Sequence, residues 1–307
     1  MNYLPHLTVM RWVRSLIAIG LVCCTSLCWS ASDATGDASA WSAFVQKSAP
    51  AATERYASAD PLQELEIYPA RPGVGTAGRP TPVLMLVHGG GWGGGSRDAL
   101  APHARYFAAL GWNSVNISYR LTSLPGVTVM NAQEDVRAAF AWIRTQASQR
   151  GWDARRIVVL GESAGGQLAC AIGILPPDAA RWQPHSLVLV NPVIDLTSLP
   201  WALNQPGLRE AGAYEAATAD KHPAFAVSPL FHVTRSSPPT LLIHGRGDTV
   251  VPFAQAEAYA ARAKNTGAKL ELVALEKTGH AFLLNEFGSP EVIRATLQRI
   301  TQFLNAP

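Results

Sequence analysis

Apolar residues in this chain gather into short runs separated by longer stretches of mixed polarity. Val83 to Val87, Ile157 to Leu160, Ser186 to Asn191 and Thr240 to His244 are nearly continuous apolar runs of strand length. That is the pattern of strands buried on both faces. Glu64 to Tyr68 alternates as an edge strand does, and Asn113 to Ser118 and Leu270 to Leu275 read as further strands. Between these runs, Arg97–Leu110, Asn131–Gln149 and 252–265 read as helices. The middle one places Val136, Ala139, Phe140 and Ile143 on one face. Strands that alternate with helices predict an α/β fold: a mainly parallel, doubly wound sheet with flanking helices. Arg71 to Pro82, rich in Gly and Pro, predicts a surface loop. Residues 192–238 break the rhythm with many prolines and alanines, so a small insertion after the sixth strand is expected, at a place where a lid or cap can form.

The first 32 residues follow a different logic. Arg11 and Arg14 precede an apolar run from Leu16 to Leu27, and small residues cluster at Ser30-Ala31-Ser32. This is the order of a secretory signal segment, with cleavage expected near residues 30–34 and Met10 as an alternative start to Met1. The run falls short of the roughly 18–20 apolar residues that span a bilayer, so no integral span is expected in the mature form. Export predicts a periplasmic or extracellular protein. Residues 33–62 read as a loose lead-in with one short helix near Trp41–Lys47, followed by a single domain over 63–307.

Composition agrees with one globular domain. Of 307 residues, 48% are hydrophobic and 15% charged, which excludes a disordered chain. The formal charge is +3. Losing Arg11 and Arg14 with the signal leaves 23 basic against 22 acidic residues. No basic stretch interleaved with aromatics invites nucleic acid. Cys23, Cys24 and Cys28 would leave with the signal, so Cys170 would be the sole mature cysteine and no disulfide is expected. The histidines are scattered, without H-E-x-x-H or C-x-x-C spacing, and no metal site is expected.

Chemistry concentrates after three of the apolar runs. Gly161-Glu162-Ser163-Ala164-Gly165 fits G-x-S-x-G between a strand and a helix. A strand that turns abruptly into a helix leaves no room for Cβ atoms at the flanking positions and pushes the serine Oγ to the tip of the turn. His88-Gly89-Gly90-Gly91-Trp92 follows the run Val83 to Val87, and its glycines leave backbone N–H groups open to an oxyanion. Each such donor is worth roughly 3–4 kcal/mol of transition-state stabilisation. Asp248 follows the run Thr240 to His244 and precedes Pro252, which opens a helix. His280 follows the strand ending near Leu275. The chain order Ser163, Asp248, His280 is that of an α/β-hydrolase triad: His280 takes the serine proton while Asp248 fixes the imidazole tautomer. Asp195, after the run Ser186 to Asn191, is a second candidate for the acid, although a turn or cap role is the simpler account of it. Trp92 is the candidate pocket wall, with Trp201, Leu203, Tyr214, Phe225 and Phe231 as further lining candidates. His88 reads as a brace for the glycine loop, His244 as a core histidine and Asp135 as a local cap or ion-pair partner.

With these motifs, Ser118-Tyr119-Arg120-Leu121 and Ser228-Pro229, the chain resembles α/β-hydrolase esterases of the hormone-sensitive-lipase and feruloyl-esterase-like group over roughly residues 80–285. The resemblance implies a serine carboxylesterase that cleaves short acyl esters through an acyl-enzyme, with no cofactor. It also implies Gly89, Gly90 and Ala164 as backbone donors to the oxyanion. Glu162 stands where the hormone-sensitive-lipase branch commonly carries Asp. Kynurenine formamidases share the His-Gly-Gly-aromatic loop, so formamides and amides remain alternative substrates to a small-molecule ester. A non-catalytic binding protein of the same fold is a third reading, against which the three intact triad positions argue. The sequence leaves the oligomeric state and the physiological acyl and alcohol groups open.

Overall fold

The structure, a computed structural model, describes residues 49–306 apart from 75–77, 176–182, 210–222 and 285. The signal segment, the helix expected near Trp41–Lys47 and Tyr214 lie outside the described residues. Eight strands form one sheet: β1 (Ala52–Arg55), β2 (Glu64–Tyr68), β3 (Thr81–Val87), β4 (Asn113–Ile117), β5 (Trp152–Glu162), β6 (Ser186–Val190), β7 (Thr240–Gly245) and β8 (Leu270–Leu275). Their order is β1-β2-β4-β3-β5-β6-β7-β8. The pairs β1/β2 and β2/β4 are antiparallel, and every other pair is parallel. The mainly parallel α/β sheet expected from the alternation is what the chain adopts.

Five main helices flank the sheet: α1 (Ala101–Ala109), α2 (Val129–Gln146), α3 (Ala164–Ala169), α4 (Ala254–Thr266) and α5 (Pro290–Leu304). The apolar strand runs hide a two-fold alternation that the two cores separate. Met85, Val87, Val159 and Leu189 pack on one side with Phe140 of α2, Leu168 of α3 and Tyr259 of α4. Leu84, Leu86, Leu160 and Ile243 pack on the other with Phe107 of α1 and Ile300 of α5. Successive side chains of a strand point to opposite faces, so one continuous apolar run serves both layers.

Local chemistry explains the helix boundaries. Thr128 caps α2 in a reciprocal capping box with Asn131, so the helix starts two residues before the predicted Asn131. The helix expected over Arg97–Leu110 divides into a 3-10 turn, Arg97–Leu100, capped by Ser96, and α1, with Pro102 in its first turn. The lead-in also departs from expectation. Ala52–Arg55 pairs with Leu65–Ile67 and Glu64 as the edge strand β1, where a loose segment was expected. Its four residues carry no apolar run, so the pairing comes from the partner strand and leaves little trace in the sequence. The segment after β6 is irregular, with short helical turns at Leu196–Ser198, Pro200–Leu203, Pro223–Ala226 and Pro229–His232 among its described residues.

The chain leaves β3 for β4 on one side, then crosses back through α2 to β5 on the other side. The carboxyl ends of β3 and β5 therefore flank the point where strand order reverses, which is where open α/β sheets form their crevice. The glycine loop follows β3 and Ser163 follows β5, so both emerge at that point.

Candidate active site

Strand β5 ends at Glu162, and the next residue, Ser163, has φ 54° and ψ −121° before α3 begins at Ala164. A non-glycine residue held in such a sparsely populated region costs about 1–3 kcal/mol, and surrounding structure must enforce it. Here the enforcement is steric and hydrogen-bonded. A Cβ on Gly161 would run into the Gly165 carbonyl, and one on Gly165 into the carbonyls of Val87 and His88. The Ser163 N–H donates to Val190 O at 2.9 Å, and its carbonyl accepts from the Gly166 N–H at 2.9 Å.

Ser163 Oγ lies 2.8 Å from His280 Nε2, and His280 Nδ1 lies 2.6 Å from Asp248 Oδ2. An ionised carboxylate only accepts, so Nδ1 carries the proton and Nε2 is left to accept from the serine hydroxyl. The structure thus brings Ser163, His280 and Asp248 into one chain of hydrogen bonds across 117 and 32 residues of sequence separation. Asp248 is itself closely held. Its Oδ1 accepts from the Val250 and Val251 N–H groups at 2.9 and 2.8 Å, an Asx turn built by the Asp-Thr-Val-Val segment. Burial alone would raise the Asp248 carboxyl, but hydrogen bonds from His244, His280 and the Val251 N–H outweigh it and hold the group well below the usual carboxylate range. The group is therefore an anion throughout the ordinary pH range.

Asp195 serves elsewhere. Its Oδ1 accepts from the Thr197 N–H at 2.9 Å and from Thr197 Oγ1, capping the turn Leu196–Ser198. Asp135 is buried and receives the Arg120 guanidinium, with Nη2 to Oδ1 at 2.7 Å, as well as the Arg120 N–H at 2.9 Å. His88 stacks on Tyr119, with centroids 4.4 Å apart, and its Nδ1 donates to Gly89 O at 2.7 Å. Burial draws its pKa down to about 4, so it is a neutral brace for the loop. His244 is fully buried and its Nε2 donates to Val251 O at 2.9 Å, but the same nitrogen also lies 3.3 Å from Asp248 Oδ2. The contact with Asp248 goes beyond the core role expected of it.

A cavity of about 300 Å³ opens over Ser163 and His280, lined by Gly90, Gly91, Trp201, Val250, Leu284 and Phe287 among others. No Lys or Arg lines it among the described residues. Trp92, expected as its wall, is not part of the lining. It is fully buried at a positive φ, and its indole N–H donates to Gln167 Oε1 at 2.9 Å. Trp201 takes the wall position, packed at 5.7 Å against Trp92 behind it. Phe225 and Phe231 stack on each other and are not among the lining residues.

The expected donors Gly89 and Gly90 both line the cavity with Ser163, and the Gly89 N–H also donates to the Glu162 carboxyl. Gly90 and Gly91, both at positive φ, line the cavity beside Ser163, and a Cβ built on Gly91 would point into open space. Ala164, the third expected donor, directly follows Ser163 as the first residue of α3. In the sequence, Glu162 marks only the subgroup. The G-x-S-x-G spacing places it beside the nucleophile, but nothing local reveals that the β3 loop closes on it.

Comparison with known proteins places this arrangement in context. The BD-FAE family model matches residues 67–262. The chain is 31% identical over 237 residues to the probable carboxylic ester hydrolase LipM of Mycobacterium tuberculosis, covering 73% of this chain and 54% of that protein. It is 32% identical to esterase LipC of the same organism, covering 73% and 58%. The chain thus spans little more than half the length of these relatives. Among solved structures, the apo form of Thermogutta terrifontis esterase 2 superposes with a TM-score of 0.70 at 30% identity, covering 82% of this chain and 93% of that one.

Proposed function

The chain belongs to the BD-FAE family, and from that membership we propose that it is a serine carboxylesterase acting on small, uncharged, short-chain acyl esters. One observation carries the reading: Ser163, His280 and Asp248 form a continuous hydrogen-bonded chain, at 2.8 and 2.6 Å, beneath a cavity free of Lys and Arg among the described residues. As Ser163 Oγ attacks an ester carbonyl, His280 Nε2 takes its proton and Asp248 stabilises the imidazolium. The carbonyl oxygen becomes negative and is met by the N–H groups of Gly90, Gly91 and Ala164. His280 then returns the proton to the leaving alcohol. Water, activated by the same imidazole, releases the acid from the acyl-enzyme.

Short acyl groups suit a cavity of about 300 Å³ at the small end of ligand pockets. Thermogutta terrifontis esterase 2, the structural relative, has been captured with propionate and with butyrate bound. Export to the periplasm or beyond is part of the proposal. Its support is the order of Arg11 and Arg14, the apolar run Leu16–Leu27 and the small residues at 30–32. Among the described residues no helix is long and apolar enough to cross a membrane.

The test is a panel of neutral esters from acetate to decanoate, with a formanilide alongside, combined with fluorophosphonate labelling read by peptide mass spectrometry. The expected result is turnover that peaks at short acyl chains, with the label on Ser163. Faster formanilide cleavage would move the substrate class to amides. Absence of both turnover and label would sink the enzyme reading.

A further inference from the structure

Glu162 immediately precedes Ser163, is 3% exposed and lines the cavity. A carboxyl so deeply placed is unfavourable unless its oxygens find partners, and such groups concentrate at functional sites. Glu162 is only half provided for. The Gly89 N–H donates to its carboxyl, and a Cβ on Gly89 would overlap Oε2, so only glycine lets the loop close on this group. Oε1 is buried and has no hydrogen-bond partner among the described residues. The charged and titratable groups facing it are His280 after β8, Asp248 after β7 and Tyr119 after β4. Among the described residues, Arg and Lys are absent from that set. Burial pushes the Glu162 carboxyl up to about 7, with His280 pulling it down and Asp248 pushing it further up.

A group that only had to hold Gly89 would work as well, and with less penalty, as a neutral amide. An ionisable one beside His280 can do something more. We propose that Glu162 is a positioning residue for the reaction: its carboxylate fixes the oxyanion loop through Gly89 and adds to Asp248 the negative charge against which the His280 imidazolium forms. The inference rests on the acyl-transfer reading above. In that reading the imidazole gains a positive charge as Ser163 gives up its proton, and an anion nearby lowers the energy of that state more than of the resting one. Protonating Glu162 removes the anion while leaving the tether, since a neutral carboxyl still offers Gly89 an acceptor oxygen.

The experiment compares wild type with Glu162→Gln on a neutral aliphatic ester, with product followed by chromatography from pH 5.5 to 8.5. The amide retains an acceptor for Gly89 and cannot ionise. At pH 8 the variant should lose roughly tenfold in kcat, the equivalent of one pK unit of interaction, with KM within about threefold. The ratio of wild-type to variant kcat should shrink toward one by pH 5.5, because wild-type Glu162 is itself protonated there. A ratio that stays constant with pH, or an unchanged kcat at pH 8, overturns the inference, since a purely structural role gives no reason for convergence. If Glu162→Gln does not fold, the wild-type profile decides: a fall steeper than one protonation supports the inference, and a single-proton curve overturns it. Undiminished turnover in Ser163→Ala would be a different failure, of the acyl-transfer reading, and would take this inference with it.

Discussion

His244 Nε2 lies 3.3 Å from Asp248 Oδ2, the same oxygen that receives His280 Nδ1 at 2.6 Å. One carboxylate oxygen is therefore shared between two imidazoles, and the other is occupied by two backbone N–H groups. A carboxylate with all these partners is fixed in orientation, and it orients His280 in turn. Replacing Asp248 by Asn keeps the shape but favours the wrong imidazole tautomer, a change that lowers turnover about 10⁴-fold in a serine protease. Asp248→Asn should cost about three to four orders of magnitude in kcat, while Asp195→Asn stays within a few-fold. Steady-state kinetics on both folded variants checks this, and the reverse ranking would move the acid to the turn after β6.

The two neighbouring tryptophans should separate stability from binding. Trp92 is fully buried and donates to Gln167, so Trp92→Ala should destabilise the fold by about 3–5 kcal/mol. Trp201 faces the cavity, so Trp201→Ala should chiefly raise KM, with a smaller loss of stability. Denaturant melts paired with kinetics test the split; equal loss of stability in both would remove Trp201 from the substrate wall.

Glu162 links activity to stability with opposite signs. Its folded pKa, about 7, lies above its ordinary 4.5, so the folded state holds the proton more tightly than the unfolded one. Stability from this group is complete below about pH 4.5 and is lost as pH rises through about 7. The loss is on the order of 3 kcal/mol. Glu162→Gln should therefore melt several degrees above wild type at pH 8, with the gap closing toward pH 5. Thermal melts at the two pH values check it; an equal gap at both would mean that charge burial is not the cause.

Cys170 is fully buried, and burial raises its thiol well above the ordinary range. Thiolate-directed reagents should leave it unmodified in the native protein and label it fully in urea. Rapid native labelling by iodoacetamide would show that the segment around α3 opens readily.

What the sequence revealed and what it hid divide along physical lines. Ser163, Asp248 and His280 are legible because each sits in a turn with its own local demand: flanking glycines that exclude Cβ atoms, an Asx turn, and a position after a strand. Glu162 is not legible in the same way, since its partner Gly89 belongs to a loop more than seventy residues earlier. For the same reason the contact of the Gly89 N–H with the Glu162 carboxyl leaves no mark in the sequence. Which indole faces the cavity depends on how the segment after β6 folds back, and no periodicity encodes that. The edge strand β1 escapes notice because four residues, Ala-Thr-Glu-Arg, carry too little apolar pattern to announce a strand.

The left-handed backbone at Ser163 limits the chemistry that this position can host. With φ at 54°, the site accepts a side chain with a single heavy atom on Cβ, whereas a β-branched one would be crowded against its own main chain. Serine and cysteine meet that requirement and threonine does not. Drift at this codon can thus exchange an oxygen nucleophile for a sulfur one without rebuilding the turn, but cannot add a methyl group. The shape of the main chain has narrowed the choice of reagent before any proton is moved.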